Sequence, residues 1–154
     1  MASTSEHSQG FLPPRFVITT AWRIHRALYR WSGGRFGLRL PSDDTYGLAQ
    51  LTTTGRRSGQ SRSVMIGYYE DGDDYVTMAM NGWDPAEPAW WLNLQADPEA
   101  TLVLPSGSIV VHGRGATAEE RPALWQRWGD LDPKLDGWAA RRPNETVVVI
   151  LTPT

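Results

Sequence analysis

Residues 48–80 read LAQLTTTGRRSGQSRSVMIGYYEDGDDYVTMAM, and this stretch carries the clearest secondary-structure signals of the chain. Three runs rich in β-branched and aromatic residues, at 48–54, 63–70 and 75–80, predict three strands. A Gly-Arg-Arg-Ser-Gly-Gln turn separates the first two runs, and Asp-Gly-Asp at 71–73 separates the last two. Short turns that contain glycine are typical of antiparallel hairpins. The stretch therefore predicts three consecutive antiparallel strands.

The chain after residue 80 continues in short strands and short helices. Further strands are predicted at 100–104, 109–115 and 146–151, and helices at 89–96, 117–128 and 133–141. Thr117 and Glu120 have the Thr-x-x-Glu spacing of a capping box, which favours a helix start at this point. Strands and helices do not alternate regularly, which disfavours a parallel doubly wound sheet. We predict an α+β fold, a barrel of about six mainly antiparallel strands with short inserted helices.

The first 31 residues precede this barrel in the sequence. Residues 1–14 are polar and end in two prolines, which predicts a disordered tail. Residues 15–31 carry apolar side chains at helical spacing and arginines on another side, which predicts an amphipathic helix. Such a helix either packs on its own domain or lies on an anionic membrane, and the sequence leaves both open. A chain of 154 residues suits one core, so we expect a single domain over residues 15–154.

The sequence carries no recognisable targeting segment. Its first ten residues lack the basic and apolar regions of a secretion signal. No apolar run approaches the roughly 20 residues that span a bilayer. We therefore expect a cytoplasmic protein, with peripheral membrane contact through residues 15–31 as the open alternative.

Composition excludes several kinds of chemistry. The chain has no cysteine, which excludes disulfides, thiolate metal ligands and a cysteine nucleophile. Its three histidines, His7, His25 and His112, are far apart and lack the spacing of a metal site. No pairing of a nucleophile with a base stands out, so we predict neither a catalytic side chain nor a metal. No nucleic-acid module is recognisable either. An enzyme of this kind would depend on a bound cofactor for its chemistry.

Charge is distributed unevenly along the chain. Residues 1–62 hold nine arginines against three acidic residues, whereas residues 63–154 hold six basic and fourteen acidic residues. Arg56, Arg57 and Arg62 lie in or next to the turn that joins the first two strands. Glycine lets backbone amides point outward, and guanidinium groups match phosphate oxygens, so this turn suits an anion. A solvated basic hairpin tip would have the same composition, and the residues alone leave both possibilities open.

Two further segments have features of a binding site. Residues 78–83 end a strand in small and polar residues, and Gly82 there allows a ring system to approach closely. Trp90 and Asn93 are three apart on one face of the predicted helix. Asn93 is suited to hydrogen-bond a ligand with Trp90 as a wall, or to bond within the protein with the tryptophan in the core.

In this order, the three segments resemble the deazaflavin-dependent nitroreductase family, whose members use reduced coenzyme F420 (an 8-hydroxy-5-deazaflavin). The resemblance runs from about Arg23 to the C-terminus and is strongest over residues 48–104. It rests on LTTTGRRSGQSR at 51–62, followed by Asp-Gly-Asp, Asn-Gly, PAWWLNL at 88–94 and Ala-Asp-Pro at 96–98. It implies a split β-barrel that binds F420.

The resemblance also implies a set of cofactor-binding residues. Arg56, Arg57 and Ser58 would hold the phosphate, with Gln60 and Arg62 nearby or on the carboxylate tail. The ring and its ribityl chain would be bordered by Met65, Ala79, Met80, Asn81 and Gly82. Two further contacts would come from the short helix, at Trp90 and Asn93. The anionic oligoglutamate tail would account for the basic N-terminal half.

The activity implied is hydride transfer from reduced F420 to a quinone-like, unsaturated or nitro-containing small molecule, with water supplying any proton. Two alternatives stay open: a non-catalytic carrier of a fatty acid or similar lipophilic ligand on the same barrel, and a reductase that uses flavin mononucleotide (FMN). The sequence does not specify the oligomeric state.

Departures from the family pattern concern the substrate side. Met-Asn-Gly-Trp at 80–83 stands where familiar members carry Ser-Lys-Gly-Gly, and residues 132–138 lack the tyrosines of the nitroimidazole-reducing members. We therefore expect a different substrate pocket, bordered by Trp83, Leu135 and Trp138, and no activation of nitroimidazole drugs is inferred.

Overall fold

The computed structural model describes residues 37–154 of the chain. The tail predicted at 1–14 and the helix predicted at 15–31 lie outside the described residues. Leu38–Thr154 form one compact unit. The extension of the domain back to residue 15 stays a prediction. None of the helices within 37–154 is long and apolar enough to cross a membrane.

Six strands close into a barrel in the order β1-β2-β3-β6-β5-β4, and every neighbouring pair is antiparallel. The strands are β1 (Gly47–Thr54), β2 (Ser61–Asp71), β3 (Asp74–Met78), β4 (Glu99–Leu104), β5 (Gly107–Gly115) and β6 (Val148–Pro153). Closure pairs both edges of the sheet, so no long strand edge is left unpaired. The predicted α+β barrel is confirmed. The predicted ends of β3 and β6 were wrong by two residues, because Ala79 and Met80 turn out of the sheet and residues 146–147 precede the last strand.

Three helices lie in the connections: α1 (Ala89–Ala96), α2 (Arg121–Leu131) and α3 (Leu135–Ala139). The predicted bounds of α1 are confirmed, and Pro88 directly before it has an extended backbone with φ −67°. The capping box is also confirmed. The Glu120 amide donates to Thr117 Oγ1 (3.2 Å) and the Thr117 amide donates to Glu120 Oε2 (2.9 Å). The helix after it ends at Leu131, three residues beyond the predicted end.

Two hydrophobic clusters lie on opposite faces of the sheet, since adjacent residues of a strand point to opposite sides. The inner cluster fills the barrel and includes Leu51, Tyr68, Leu102 and Val111, with Trp90, Trp91 and Leu94 of α1. The outer cluster joins Tyr69, Val76, Val148 and Ile150 to Leu124, Trp128 and Leu131 of α2 and to Leu135 of α3. All four residues Val148 to Leu151 are buried because both faces of β6 are covered.

Replacing Gly47 by alanine is expected to destabilise the barrel. A Cβ at this position would lie 2.6 Å from Tyr68 Cε1 and 2.8 Å from the Arg39 carbonyl oxygen. Neither atom is free to move, because Tyr68 is fully buried and Arg39 bridges to Leu48. Overpacking of this kind costs about 1–3 kcal/mol. Equilibrium unfolding in urea measures the loss.

Gly129→Ala is the matched control for this substitution. Gly129 lies within α2, and a Cβ there would meet nothing within 4 Å. Alanine is favoured over glycine in a helix by about 1 kcal/mol, so this variant should be more stable than the native chain. Equal effects of the two substitutions would contradict the packing argument.

The Arg114–Glu120 pair makes the stability of the fold depend on pH in the acidic range. Two guanidinium nitrogens donate to the Glu120 carboxylate at 2.8 and 2.9 Å. This hydrogen bonding, followed by the bond from the Thr117 amide, lowers the pKa of Glu120 from 4.5 to about 2. The folded state therefore favours the carboxylate. Its stabilising contribution is present above pH 4.5 and is lost as the pH falls through about 2.

An NMR titration of the Glu120 carboxyl carbon should give a midpoint near 2 in the native chain. In Arg114→Met the midpoint should rise toward the ordinary value of 4.5. A midpoint that is the same in both proteins would show that the ion pair does not form in solution.

Candidate functional site

The turn between β1 and β2, residues 55–60, is a closed loop. The Gly55 amide donates to the Gln60 carbonyl and the Gly59 amide donates to the Gly55 carbonyl, both at 2.8 Å. Gly59 has a positive φ of 69°, which glycine adopts without strain. A Cβ at Gly55 would lie 2.9 Å from Ser58 Oγ. The two glycines are therefore what lets the loop fold back on itself.

Asn93 of α1 attaches this loop to the barrel. Its side-chain oxygen accepts from the Arg56 amide and from Arg56 Nη1, each at 3.2 Å. Its nitrogen donates to Thr53 Oγ1 at 3.1 Å. Asn93 is 3% exposed. These contacts favour the alternative in which Asn93 bonds within the protein, and direct contact with a ligand stays a prediction.

The loop carries cations that are not neutralised nearby. Arg56, Arg57 and Arg62 are exposed, and none of them forms an ion pair with a carboxylate of the described part of the chain. Ser58 Oγ accepts from the Gln60 amide at 3.3 Å, which leaves the hydroxyl hydrogen free to donate. Three guanidinium groups without carboxylate partners make this loop attractive to an anion.

The second predicted segment begins where β3 ends. Ala79 is fully buried and its amide donates to the Val147 carbonyl, whereas Met80 is 36% exposed. The chain then reverses over residues 81–84, and the Asp84 amide donates to the Asn81 carbonyl at 3.0 Å. Both central residues of this turn have positive φ, 56° at Gly82 and 62° at Trp83. That backbone pattern is typical of a type I′ turn, in which a tryptophan is strained.

The strand directions bring the predicted segments to one end of the barrel. β2 starts at the basic loop and runs away from it, and β3 is antiparallel to β2 and so runs back toward that end. Residues 79–83 therefore leave the sheet on the side that carries residues 55–60. Asn93 joins α1 to the same loop. Met65, half-buried on β2, lies between these segments along the strand.

Arg142 is a residue of this region that sequence reasoning missed. Its side chain is fully buried and contacts the connection between β3 and α1. Nothing in the sequence pattern could have identified it, because its partners there lie 55 to 63 residues earlier. The adjacent Arg141 is exposed and stacks on Trp138, with 4.5 Å between its guanidinium carbon and the ring centroid.

The aromatic residues divide between core and surface. Trp90 is 6% exposed and belongs to the inner cluster, so its contacts are with the core. Trp83 is half-buried and packs against the outer cluster, and Trp138 is half-buried beneath Arg141. Leu135 is 1% exposed. A core position of this kind favours packing for Leu135, and its role at the substrate pocket stays a prediction.

Metal chemistry has no candidate site in the described part of the chain. No group of three or more histidine, aspartate or glutamate side chains within 37–154 could hold an ion. His112 is exposed on β5, two strands from β1, and no other histidine lies in residues 37–154. The candidate site therefore combines an exposed basic loop with a turn of positive φ toward the same end of the barrel, without a metal cluster in residues 37–154.

Comparison with known sequences identifies relatives. A sequence model of the F420H2-dependent quinone reductase family matches residues 21–153. The F420H2-dependent quinone reductase Rv1261c of Mycobacterium tuberculosis (strain ATCC 25618 / H37Rv) is 40% identical over 88 residues. That alignment covers 57% of this chain and 58% of the mycobacterial protein. The chain thus spans less than two thirds of this relative's length.

Solved structures with the same fold are also found. One, described as a domain-swapped dimer, has a TM-score of 0.65 at 23% identity and covers 88% of this chain and 98% of that one. Another, the F420-H2 dependent reductase FDR-A, has a TM-score of 0.61 at 24% identity, with 75% of this chain and 99% of that one covered. These likenesses confirm the split β-barrel. The family match spans nearly all of residues 37–154, and the chain belongs to the F420H2-dependent quinone reductase family.

Proposed function

We propose that the chain is an F420H2-dependent reductase that transfers a hydride to a quinone-type acceptor. The observation that carries the proposal is the loop at 55–60, whose backbone is held by Asn93 and whose guanidinium groups have no carboxylate partner in the part of the chain that the structure describes. Family membership supports F420 as the anion. The name of the mycobacterial relative supports a quinone as the acceptor, and nitro compounds are the less favoured class.

The residues present fit the anionic part of this cofactor. Arg57 and Arg62 offer forked donors without carboxylate competitors in residues 37–154, and Ser58 has a hydroxyl hydrogen to donate. We assign the phosphate to these three residues, with Arg56 and Gln60 beside them. Arg56 donates one guanidinium N–H to the Asn93 side-chain oxygen, which restricts the rotation of the side chain. Its remaining N–H donors would face the phosphate.

The protein's contribution to the reaction is binding and orientation. Bound in reduced form, F420 would supply the hydride that reduces the acceptor. Met65 and residues 79–82 would border its ring, since they lie on β2 and just after β3, toward the end of the barrel that carries the basic loop. Trp83 and Trp138 would border the acceptor. Water supplies the proton in this proposal, because we assign no titratable side chain to the reaction.

A carrier function is less well supported by the packing. Leu51, Tyr68, Leu102 and Val111 inside the barrel are all 0% exposed. Even barrels of about eight strands have interiors that side chains fill. A fatty acid would therefore have to bind outside this core. Peripheral membrane contact through residues 15–31 and a cytoplasmic location stay predictions of the sequence.

Titration of the purified chain with oxidised F420 tests the proposal, with quenching of tryptophan fluorescence as the signal. Saturable quenching at micromolar F420 is expected, and FMN should quench only at much higher concentration. Mixing with reduced F420 and menadione should then restore the visible absorbance of the oxidised cofactor. Absence of quenching at micromolar F420, or tighter binding of FMN, would overturn the assignment of the cofactor.

A further inference from the structure

Arg142 carries a full charge into the protein interior. Its side chain is 0% exposed, and burial of an unpaired charge is costly. All five of its N–H donors have an acceptor. Nε donates to the Asp84 carbonyl (3.0 Å), Nη1 to the Ala79 carbonyl (3.2 Å) and Thr146 Oγ1 (2.9 Å), and Nη2 to the Ala86 carbonyl (3.4 Å) and Glu87 Oε1 (3.2 Å).

Four of these five acceptors lie in one segment, residues 79–88, which connects β3 to α1. We call this segment the β3–α1 loop. Apart from the turn at 81–84, its backbone has little regular hydrogen bonding. The bonds from Arg142 reach its first residue, Ala79, its middle, Asp84, and its last turn at Ala86 and Glu87. A planar fork with five donors can connect these points at once, and a lysine cannot.

Within residues 37–154, the non-glycine residue with a positive φ lies in the β3–α1 loop. Trp83 has a φ of 62°, which a bulky side chain adopts at a cost of roughly 1–3 kcal/mol. Strain of this kind persists only where the surroundings hold it. The carbonyls on either side of the turn, at Ala79 and Asp84, are both bound by Arg142. Arg142 therefore anchors the backbone before and after the strained residue, while the Trp83 side chain packs on the outer cluster.

We propose that Arg142 is a positioning residue of the reductase, which acts through the β3–α1 loop to fix Met80 to Trp83 at the ring and the acceptor. The inference rests on the proposed function. It separates two ends of the site: the basic loop at 55–60 sets affinity for the phosphate, and Arg142 sets the geometry of hydride transfer. Misplacement by about 1 Å can cost about 100-fold in rate.

Arg142→Lys is the variant that tests this role. It keeps the charge opposite Glu87 but loses the fork, so the loop should loosen while the barrel stays folded. Hydrogen exchange in the free protein should be at least about 10-fold faster at the Asp84 amide and unchanged in β4. The single-turnover rate of hydride transfer to menadione should fall by at least about 10-fold, and the Kd for F420 should stay within about threefold.

Arg121→Lys is the matched control. Arg121 is a partly buried arginine of α2 that pairs with Glu145 at 3.1 Å and stacks on Trp125 at 4.5 Å, and neither of these contacts involves the β3–α1 loop. It should change thermal stability without changing the exchange of the Asp84 amide or the rate of hydride transfer. Glu87→Gln removes only the ion pair with Arg142, so it should give the same changes in exchange and rate to a smaller extent. This variant tests the role of Arg142 if Arg142→Lys does not fold.

The outcomes separate this inference from the proposed function. Unchanged exchange in the β3–α1 loop, or an equal loss of rate in Arg121→Lys, would overturn the role of Arg142. Failure of the native chain to bind F420 would overturn the proposed function. In that case hydrogen exchange would still show whether Arg142 holds the β3–α1 loop. The link between Arg142 and hydride transfer would be overturned together with the reductase activity.

Discussion

Replacing both Arg57 and Arg62 by glutamine is expected to weaken F420 binding by about 100-fold. Each substitution removes one charge-assisted contact with the phosphate or the carboxylate tail, and about 1.4 kcal/mol per contact corresponds to about 10-fold in Kd. Both residues are exposed and neither is paired with a carboxylate in residues 37–154, so the fold should tolerate the change. Fluorescence titration with F420 measures the effect.

The salt dependence of binding gives a second measure of the same contacts. Exposed ion pairs are screened within about 8 Å at physiological ionic strength, so native binding should weaken as salt is added. The double variant should depend on salt much less. Its affinity for the deazaflavin riboside, which lacks the phosphate and the tail, should match that of the native chain.

A second double variant that also removes two positive charges serves as the control. Arg114 and Lys134 are exposed and lie outside the proposed site, and their joint replacement by glutamine also removes two positive charges. This control should bind F420 with nearly native affinity. A loss of affinity that is equal in both double variants would mean that net charge, and no contact at residues 55–62, governs binding.

Much of the barrel could be predicted because its signals are local. The glycine-containing turns at 55–60 and 71–73 and the strand-like runs beside them are recognised from adjacent residues. They predict β1, β2 and β3. Pro88 and Asp97 likewise bracket α1. The ends of β3 and β6 depend on contacts between distant residues. The Ala79 amide still bonds to the Val147 carbonyl in the register of the two strands, but the next amide, that of Met80, donates back to the Met78 carbonyl, and the ladder ends there.

The site divides in the same way. The basic loop was predictable as a candidate, because glycines and arginines together suit an anion, but its own residues left a solvated hairpin tip open and the family resemblance was needed to choose. Arg142 could not be identified, since a buried arginine is indistinguishable from a surface arginine until its acceptors are known. The resemblance predicted Leu135 at the substrate pocket, and that role stays a prediction; the sequence could not show that its side chain is only 1% exposed. The fold turns that side chain inward against Trp128 and Leu131.

Asn93→Leu is expected to have the largest effect on stability among the site residues. Leucine fills a similar volume but offers no polar atom, so the Arg56 amide and Thr53 Oγ1 lose their partner. Thr53 is 2% exposed and cannot turn to water. Each buried group left unsatisfied costs about 1–3 kcal/mol, which gives about 2–6 kcal/mol for the two. Urea unfolding measures this loss, and F420 affinity should fall with it because the basic loop loses its anchor.

Asn93→Asp separates the anchor from the electrostatics. Aspartate has the same shape, keeps an oxygen for both Arg56 bonds, and can accept from the Thr53 hydroxyl once that hydroxyl turns round. Stability should therefore fall by less than in Asn93→Leu. The new negative charge lies 3.2 Å from Arg56 Nη1 and competes with the phosphate for that cation, so the Kd for F420 should still rise by about 10-fold. If the aspartate variant binds F420 as tightly as the native chain, Arg56 takes no part in holding the anion. If the leucine variant is as stable as the native chain, the loop is held by contacts other than Asn93.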